Sequence, residues 1–306
     1  MRNKAASLQL ATLPLLLLAG LLPGQAQDAG SQYAGSDTCG TCHEDLAAAF
    51  QKNPHYVLEQ GDRHEWKGKA CEACHGPGQK HAESTSAADI IDPGKLNPAA
   101  TDTICLTCHL NQPTHVGRLE SSHVRNQVSC IACHKVHATT RSAMTPRAPA
   151  VINELCASCH MNVWAKFQQP YHHRLPERAM SCVDCHNPHG TPWPAMQQTF
   201  GANEPGCYKC HGYLRGPFTF EHEPVRYESC TICHEPHGSP NPRMLIRQEV
   251  STLCLECHAN LPAANSKGTM GVVPPAFHDL RAPQFRNCTV CHQKIHGSYV
   301  DRNLLR

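Results

Sequence analysis

The chain has 306 residues, with 20 Cys and 23 His set against 7 Phe, 7 Tyr and 3 Trp. That is too little bulk for a conventional core, and 24 Pro and 20 Gly argue against long helices or a broad sheet. A large enzyme fold around a buried sheet is excluded, and so is plain disorder, because the chain is 40% hydrophobic and only 17% charged.

The first element in chain order is a targeting segment. Arg2 and Lys4 form a short positive region. Leu8 to Leu22 is apolar apart from Gln9, Thr12, Pro14 and Gly20, and Gly24-Gln25-Ala26 offers small residues for cleavage. Residues 1–26 are therefore read as a signal peptide, too short in their apolar run to span a bilayer, where about 20 residues are needed. No Cys precedes Asp28, so a lipoprotein signal is excluded, and no later segment is expected to cross a membrane as a helix. Arg2 and Lys4 are the only charges in this segment, so residues 27–306 carry 25 basic and 25 acidic side chains. With no basic block, nucleic acid is not an expected partner.

Every cysteine then falls in one pentapeptide, C-x-x-C-H. The ten cysteine pairs are Cys39 and Cys42, Cys71 and Cys74, Cys105 and Cys108, Cys130 and Cys133, Cys156 and Cys159, Cys182 and Cys185, Cys207 and Cys210, Cys230 and Cys233, Cys254 and Cys257, and Cys288 and Cys291. They end in His43, His75, His109, His134, His160, His186, His211, His234, His258 and His292. Chance would supply about 0.1 copies at these residue frequencies, so the motif is read as the attachment site of c-type haem. Two thiols add across the two haem vinyl groups, and the adjacent His becomes the proximal iron ligand. Zinc gives no reason for a His after every second Cys, and disulfides between such close cysteines would be strained.

Ten haems in 280 residues would themselves be the hydrophobic core. The expected fold is a multihaem cytochrome c, mostly loops and short α-helices around a linear chain of ten haems, with almost no β-sheet. Residues 44–51 and 163–168 read as short helices, and no stretch alternates convincingly as a strand.

Thirteen histidines remain, and ten of them fall in a regular order: motif, upstream His, motif, downstream His. The five resulting two-haem units contribute His55 and His81, His123 and His137, His173 and His189, His222 and His237, and His278 and His296. The ligand count closes, which predicts bis-histidine iron throughout. A period near 50 residues (Cys105, Cys156, Cys207, Cys254) marks an internal repeat. His64, His115 and His172 are left over, with His115 an alternative to His123 and His172 an alternative to His173. His137, His189 and His237 lie three residues after a proximal His, so each leaves on the same side of its own porphyrin. Such a His must serve a neighbouring haem, most simply the other haem of its unit. Six-coordinate iron has no open site for a substrate and reorganises little on redox change.

Several stretches are more specific than the motif. They are Cys71-Glu72-Ala73-Cys74-His75-Gly76-Pro77 with His81, Asn187-Pro188-His189-Gly190, Arg215-Gly216-Pro217, Glu221-His222 with Pro224-Val225, Pro236-His237-Gly238, and Ile295-His296-Gly297-Ser298 before Leu304-Leu305-Arg306. In these, from Cys39 to Arg306, the chain resembles the periplasmic decahaem cytochromes of the MtrA/DmsE type, which include MtoA- and PioA-like members. His278 departs from that pattern. The resemblance implies a haem wire inserted in an outer-membrane β-barrel porin, fed by periplasmic or inner-membrane cytochromes and meeting extracellular metal or a surface multihaem cytochrome. A freely diffusing periplasmic shuttle is the alternative. A multihaem reductase would need an open iron, yet no C-x-x-C-K occurs and distal His are in surplus.

Overall fold

The computed structural model describes residues 32–201, 203–258 and 282–306. The segment read as a signal peptide and the ligand candidate His278 lie outside the described residues.

Proline and asparagine set where the helices begin. The longest, Pro98–His109, starts with Pro98 in its first turn, while the Asn97 side chain accepts from the Ala100 N–H. Pro149 opens Pro149–Ala157 in the same way. The helices expected over 44–51 and 163–168 form as Glu44–Phe50 and Met161–Lys166. Each begins directly after a motif histidine, His43 or His160, so it continues the turn of the motif itself. Among the described residues the sheet is one antiparallel pair, Thr199–Phe200 with Glu204–Pro205, in the register Thr199↔Pro205 and Phe200↔Glu204. Isolated bridges add Tyr171↔Ser239, His186↔Gln197, Phe220↔Ser298 and His234↔Leu245. The architecture is the expected one of loops and short helices.

The described polypeptide buries few apolar side chains: Ala70, Ile152, Phe167, Leu175, Tyr208 and Leu304. Three of its buried polar groups, Glu72, Asp102 and Asn153, are more telling, because they bind groups distant in sequence. The Glu72 carboxylate accepts from the backbone N–H groups of Ala34, Gly35 and Gly78, which draws the N-terminal strand of chain onto the second motif. Asp102 accepts from Cys130 N–H at 2.8 Å and from Arg118 at 2.6 Å. Asn153 accepts from Cys182 N–H at 3.0 Å and donates to the carbonyls of Leu175 and Met180. Asp102 and Asn153 each stand three residues before the first Cys of a motif and pin the first Cys of the next motif. Ser36, at the same offset before Cys39, lies beside the Cys71 thiol and donates to Glu59.

Candidate haem-binding centres

In each motif the proximal histidine closes one helical turn. Its backbone N–H donates to the carbonyl of the first Cys at 2.9–3.1 Å in nine copies, and the tenth, His109, ends the helix Pro98–His109. Positions i, i+3 and i+4 of a helical turn share one face, so both thiols and the imidazole converge on one ligand-sized surface. That is the donor set c-type haem requires.

The motifs are arranged in pairs. Cys39 lies near Cys71, Cys105 near Cys130, Cys156 near Cys182, Cys207 near Cys230 and Cys254 near Cys288, close enough for the two thiols of each pair to influence one another. Successive pairs also adjoin. Cys74 feels Cys105 and Cys108, Cys133 feels Cys156 and Cys159, Cys185 feels Cys207 and Cys210, and Cys233 feels Cys257. Neighbours in space thus follow neighbours in sequence, from the first motif to the last.

Nine proximal histidines face a second imidazole across a nearly constant gap. The ring centres are 6.4 Å apart for His43 and His81, 6.0 Å for His109 and His55, 5.9 Å for His75 and His137, 6.1 Å for His134 and His189, and 6.1 Å for His160 and His123. The series continues with 6.1 Å for His186 and His237, 6.3 Å for His211 and His173, 6.3 Å for His234 and His296, and 6.1 Å for His258 and His222. Imidazole nitrogens about 2.0 Å either side of one metal, with ring centres about 1.15 Å beyond, would put the centres about 6.3 Å apart. The observed spacing fits an iron between each pair, so the residues present fit the group. The partner of His292 expected from the sequence, His278, lies outside the described residues.

This pairing corrects the expectation that each downstream His serves the other haem of its own unit. Only His81 does so, by facing His43. His137, His189, His237 and His296 reach back to the second motif of the preceding unit. His55, His123, His173 and His222 reach forward to the first motif of the following unit. The narrower steric expectation holds: none of the three-residue cases faces its own proximal histidine.

The forward and backward histidines are fixed together. His123 Nδ1 lies 3.0 Å from the carbonyl of Pro188, and His173 Nδ1 lies 2.7 Å from that of Pro236. His222 lies beside the carbonyl of Ile295. Pro188, Pro236 and Ile295 immediately precede His189, His237 and His296, so one peptide orients two candidate ligands. A carbonyl can accept only from Nδ1–H, which leaves Nε2 for a metal. Proximal rings are oriented in the same way: His75 by Ile91, His134 by Met144, His186 by Ala195, His234 by Arg243 and His292 by Asn303. Burial holds His55, His137, His222, His237 and His296 below the usual imidazole range, and burial with the nearby rings of His115 and His134 takes His189 down to about 4. The neutral form thereby favoured is the one that binds metal.

His123 and His173, and not His115 and His172, occupy the paired positions. His115 packs edge-on against His189, 4.4 Å between centres. His172 contacts the Gln169 carbonyl and, at 3.1 Å, Glu177. His64 is exposed. Sequence reasoning missed the pins Glu72, Asp102 and Asn153. For the two that precede a first Cys by three residues, that fixed offset was a readable signal.

The family model described as a doubled CXXCH motif (Paired_CXXCH_1) matches residues 122–164, 172–216 and 222–263. Each match opens beside a forward histidine and takes in the two motifs that follow. A curated relative, "Multiheme cytochrome MtrA" of Shewanella baltica (strain OS185), is 33% identical over 271 residues, covering 86% of this chain and 78% of its own length.

Proposed function

The chain belongs to the MtrA family of multihaem cytochromes, and from that membership we propose that it is a decahaem wire, bis-histidine at every iron, that carries electrons across the outer membrane inside a porin. It is an electron carrier and not an enzyme. The observation that carries the reading is the series of nine imidazole pairs, among the described residues, along motifs that adjoin in chain order. The bound haems supply one-electron redox chemistry. The chain's own residues hold them: paired cysteines attach each haem, proximal and distal imidazoles close off the iron, and backbone carbonyls fix the rings. A metal with both axial positions filled reorganises little, which suits transfer over substrate turnover.

Two physical arguments support the conduit over a diffusing shuttle. Ten adjoining haems suffice to bridge a hydrocarbon layer of about 30 Å. The polypeptide beyond residue 26 is charge-balanced, while each haem adds two propionates against about one positive charge on ferric iron. The holoprotein then carries about −10 oxidised and about −20 reduced if every propionate is ionised. That charge is prohibitive against lipid and calls for an enclosing barrel with a polar, partly basic lumen. No helix of the described residues is long and apolar enough to cross a membrane.

The test is reconstitution in liposomes that enclose a reductant, with a membrane-impermeant ferric acceptor outside. Transfer is expected only when cytochrome and barrel are both present. Equal transfer by the cytochrome alone, or none with the cognate barrel, would favour the periplasmic shuttle.

A further inference from the structure

The four histidines that reach backward occupy equivalent places, but the residue two positions before them is not the same throughout. It is Lys135 before His137, Asn187 before His189, Glu235 before His237 and Lys294 before His296. Lys135 and Lys294 are exposed, and Asn187 spends its amide on the carbonyls of Thr114 and Gly190. Glu235 is different. It is half-buried, and its Oε1 lies 3.3 Å from His237 Nδ1. Among the described residues, only His237 of these four imidazoles has a carboxylate oxygen within 4 Å.

The surroundings hold this contact in place. Lys166, the last residue of Met161–Lys166, binds the other carboxylate oxygen at 2.7 Å. The next residue, Phe167, is buried and stands edge-on to the His237 ring, 5.4 Å between centres. Gly238 lets the chain approach so closely that a Cβ there would lie 2.2 Å from the Lys166 carbonyl. Ring, carboxylate and ammonium thus form a fixed series, with His186 across the gap from His237.

We propose that Glu235 is a positioning and tuning residue that makes the haem of the sixth motif the low-potential step in the middle of the chain, with Lys166 moderating its effect. This rests on the ligand reading given above. With Nε2 on iron, His237 presents Nδ1–H to the carboxylate. The negative charge strengthens the imidazole as a donor and favours ferric over ferrous iron, a recognised action of groups that contact a ligand from outside. The reaction is a one-electron exchange between this iron and its neighbouring haems, and the Nδ1 proton stays on the ring. The equivalent places at the second, fourth and eighth motifs offer a cation or a neutral amide, so they lack this bias.

The holoprotein tests it, by spectroelectrochemical titration of all ten haems with electron paramagnetic resonance of the oxidised state. E235Q keeps the shape of the side chain and an oxygen for Nδ1–H, and removes the charge. One tenth of the haem absorbance is expected to become easier to reduce by about tenfold at fixed potential, about 59 mV for one electron. K166M should move the same tenth in the opposite direction, and E235D should return it most of the way to the parent. A titration of E235Q superimposable on the parent, a shift shared evenly by all haems, or a K166M shift of the same sign would overturn the proposal. So would a new high-spin ferric signal in E235Q, because it would show that Glu235 merely holds the ring on iron. A stoichiometric high-spin haem in the unsubstituted protein would instead bring down the bis-histidine reading, and this proposal with it.

Discussion

Asn53 shows what a single side chain contributes. Its Nδ2 donates to the carbonyls of Val136 and Ala138 at 2.8 and 2.6 Å, which brackets His137 from both sides. Its Oδ1 accepts from His55 N–H, so one buried amide places two candidate ligands, His55 toward His109 and His137 toward His75. Replacement by Ala removes three hydrogen bonds and leaves two carbonyls poorly satisfied. Asn53→Ala is expected to cost about 2 kcal/mol in denaturant unfolding of the holoprotein. It should also raise high-spin signal in the oxidised protein, because both rings lose their anchor. Unchanged stability and spectra would show that the loop is held by other contacts. The motifs themselves were readable in sequence, because attachment chemistry fixes a pentapeptide, and counting the remaining histidines supplied the candidates that the structure sets in facing pairs. The role of Asn53 was not, since the carbonyls that its Nδ2 binds lie more than 80 residues away and no local pattern announces them.

At the scale of elements, the unit of construction is a pair of short loops in contact. Tyr171 and Ser239 exchange backbone hydrogen bonds, and so do Phe220 and Ser298. Each exchange lays the chain before a forward histidine beside the chain after a backward one. The approach is close enough to demand glycine. At Gly190, φ is +111° and a Cβ would lie 2.3 Å from the Gly117 carbonyl. Gly190→Ala therefore meets both an unfavourable backbone conformation and a backbone clash. A loss of about 1–3 kcal/mol is expected, on the scale of one residue held in a disfavoured conformation. It should appear as a lower thermal midpoint of the holoprotein, with the haem of the fourth motif disturbed first. A neutral outcome would mean that the loops can separate without loss. The recurrent His-Gly of His189-Gly190, His237-Gly238 and His296-Gly297 is thus the trace in sequence of this contact. The spacing argument agrees with the ring pairing in that His137, His189 and His237 each face an imidazole other than the proximal one beside them. It misjudged which neighbour they serve, because bridges between distant loops, and not the spacing, decide how far each histidine is carried.

For the whole molecule, the pairing means that no unit is complete alone. Each internal unit sends one histidine forward and one back, so the haems would tie the chain into one continuous ladder. The ends close differently: His81 turns back to His43 within the first unit, and the order leaves His278 for His292 in the last. The fold class was legible from composition for the same reason, since a chain so poor in aromatics needs something other than side chains at its centre. The described polypeptide bears this out with only six buried apolar residues. Against them stands a backbone entropy of about 1–2 kcal/mol for each ordered residue, which so small a core does not offset. On the proposed reading, the haems would supply what is missing through their apolar faces and through ligand bonds that span units, and attachment and folding would be one event. Expressed without the haem-attachment machinery, the chain is expected to be unfolded or degraded, with no protease-resistant core and little fixed structure by circular dichroism. Loss of one axial ligand in the holoprotein should, by contrast, loosen two adjoining units and leave the distant ones protected. A compact, protease-resistant haem-free form would show that the polar pins at Glu72, Asp102 and Asn153 suffice to fold the chain, and that the haems are guests in a scaffold made before them.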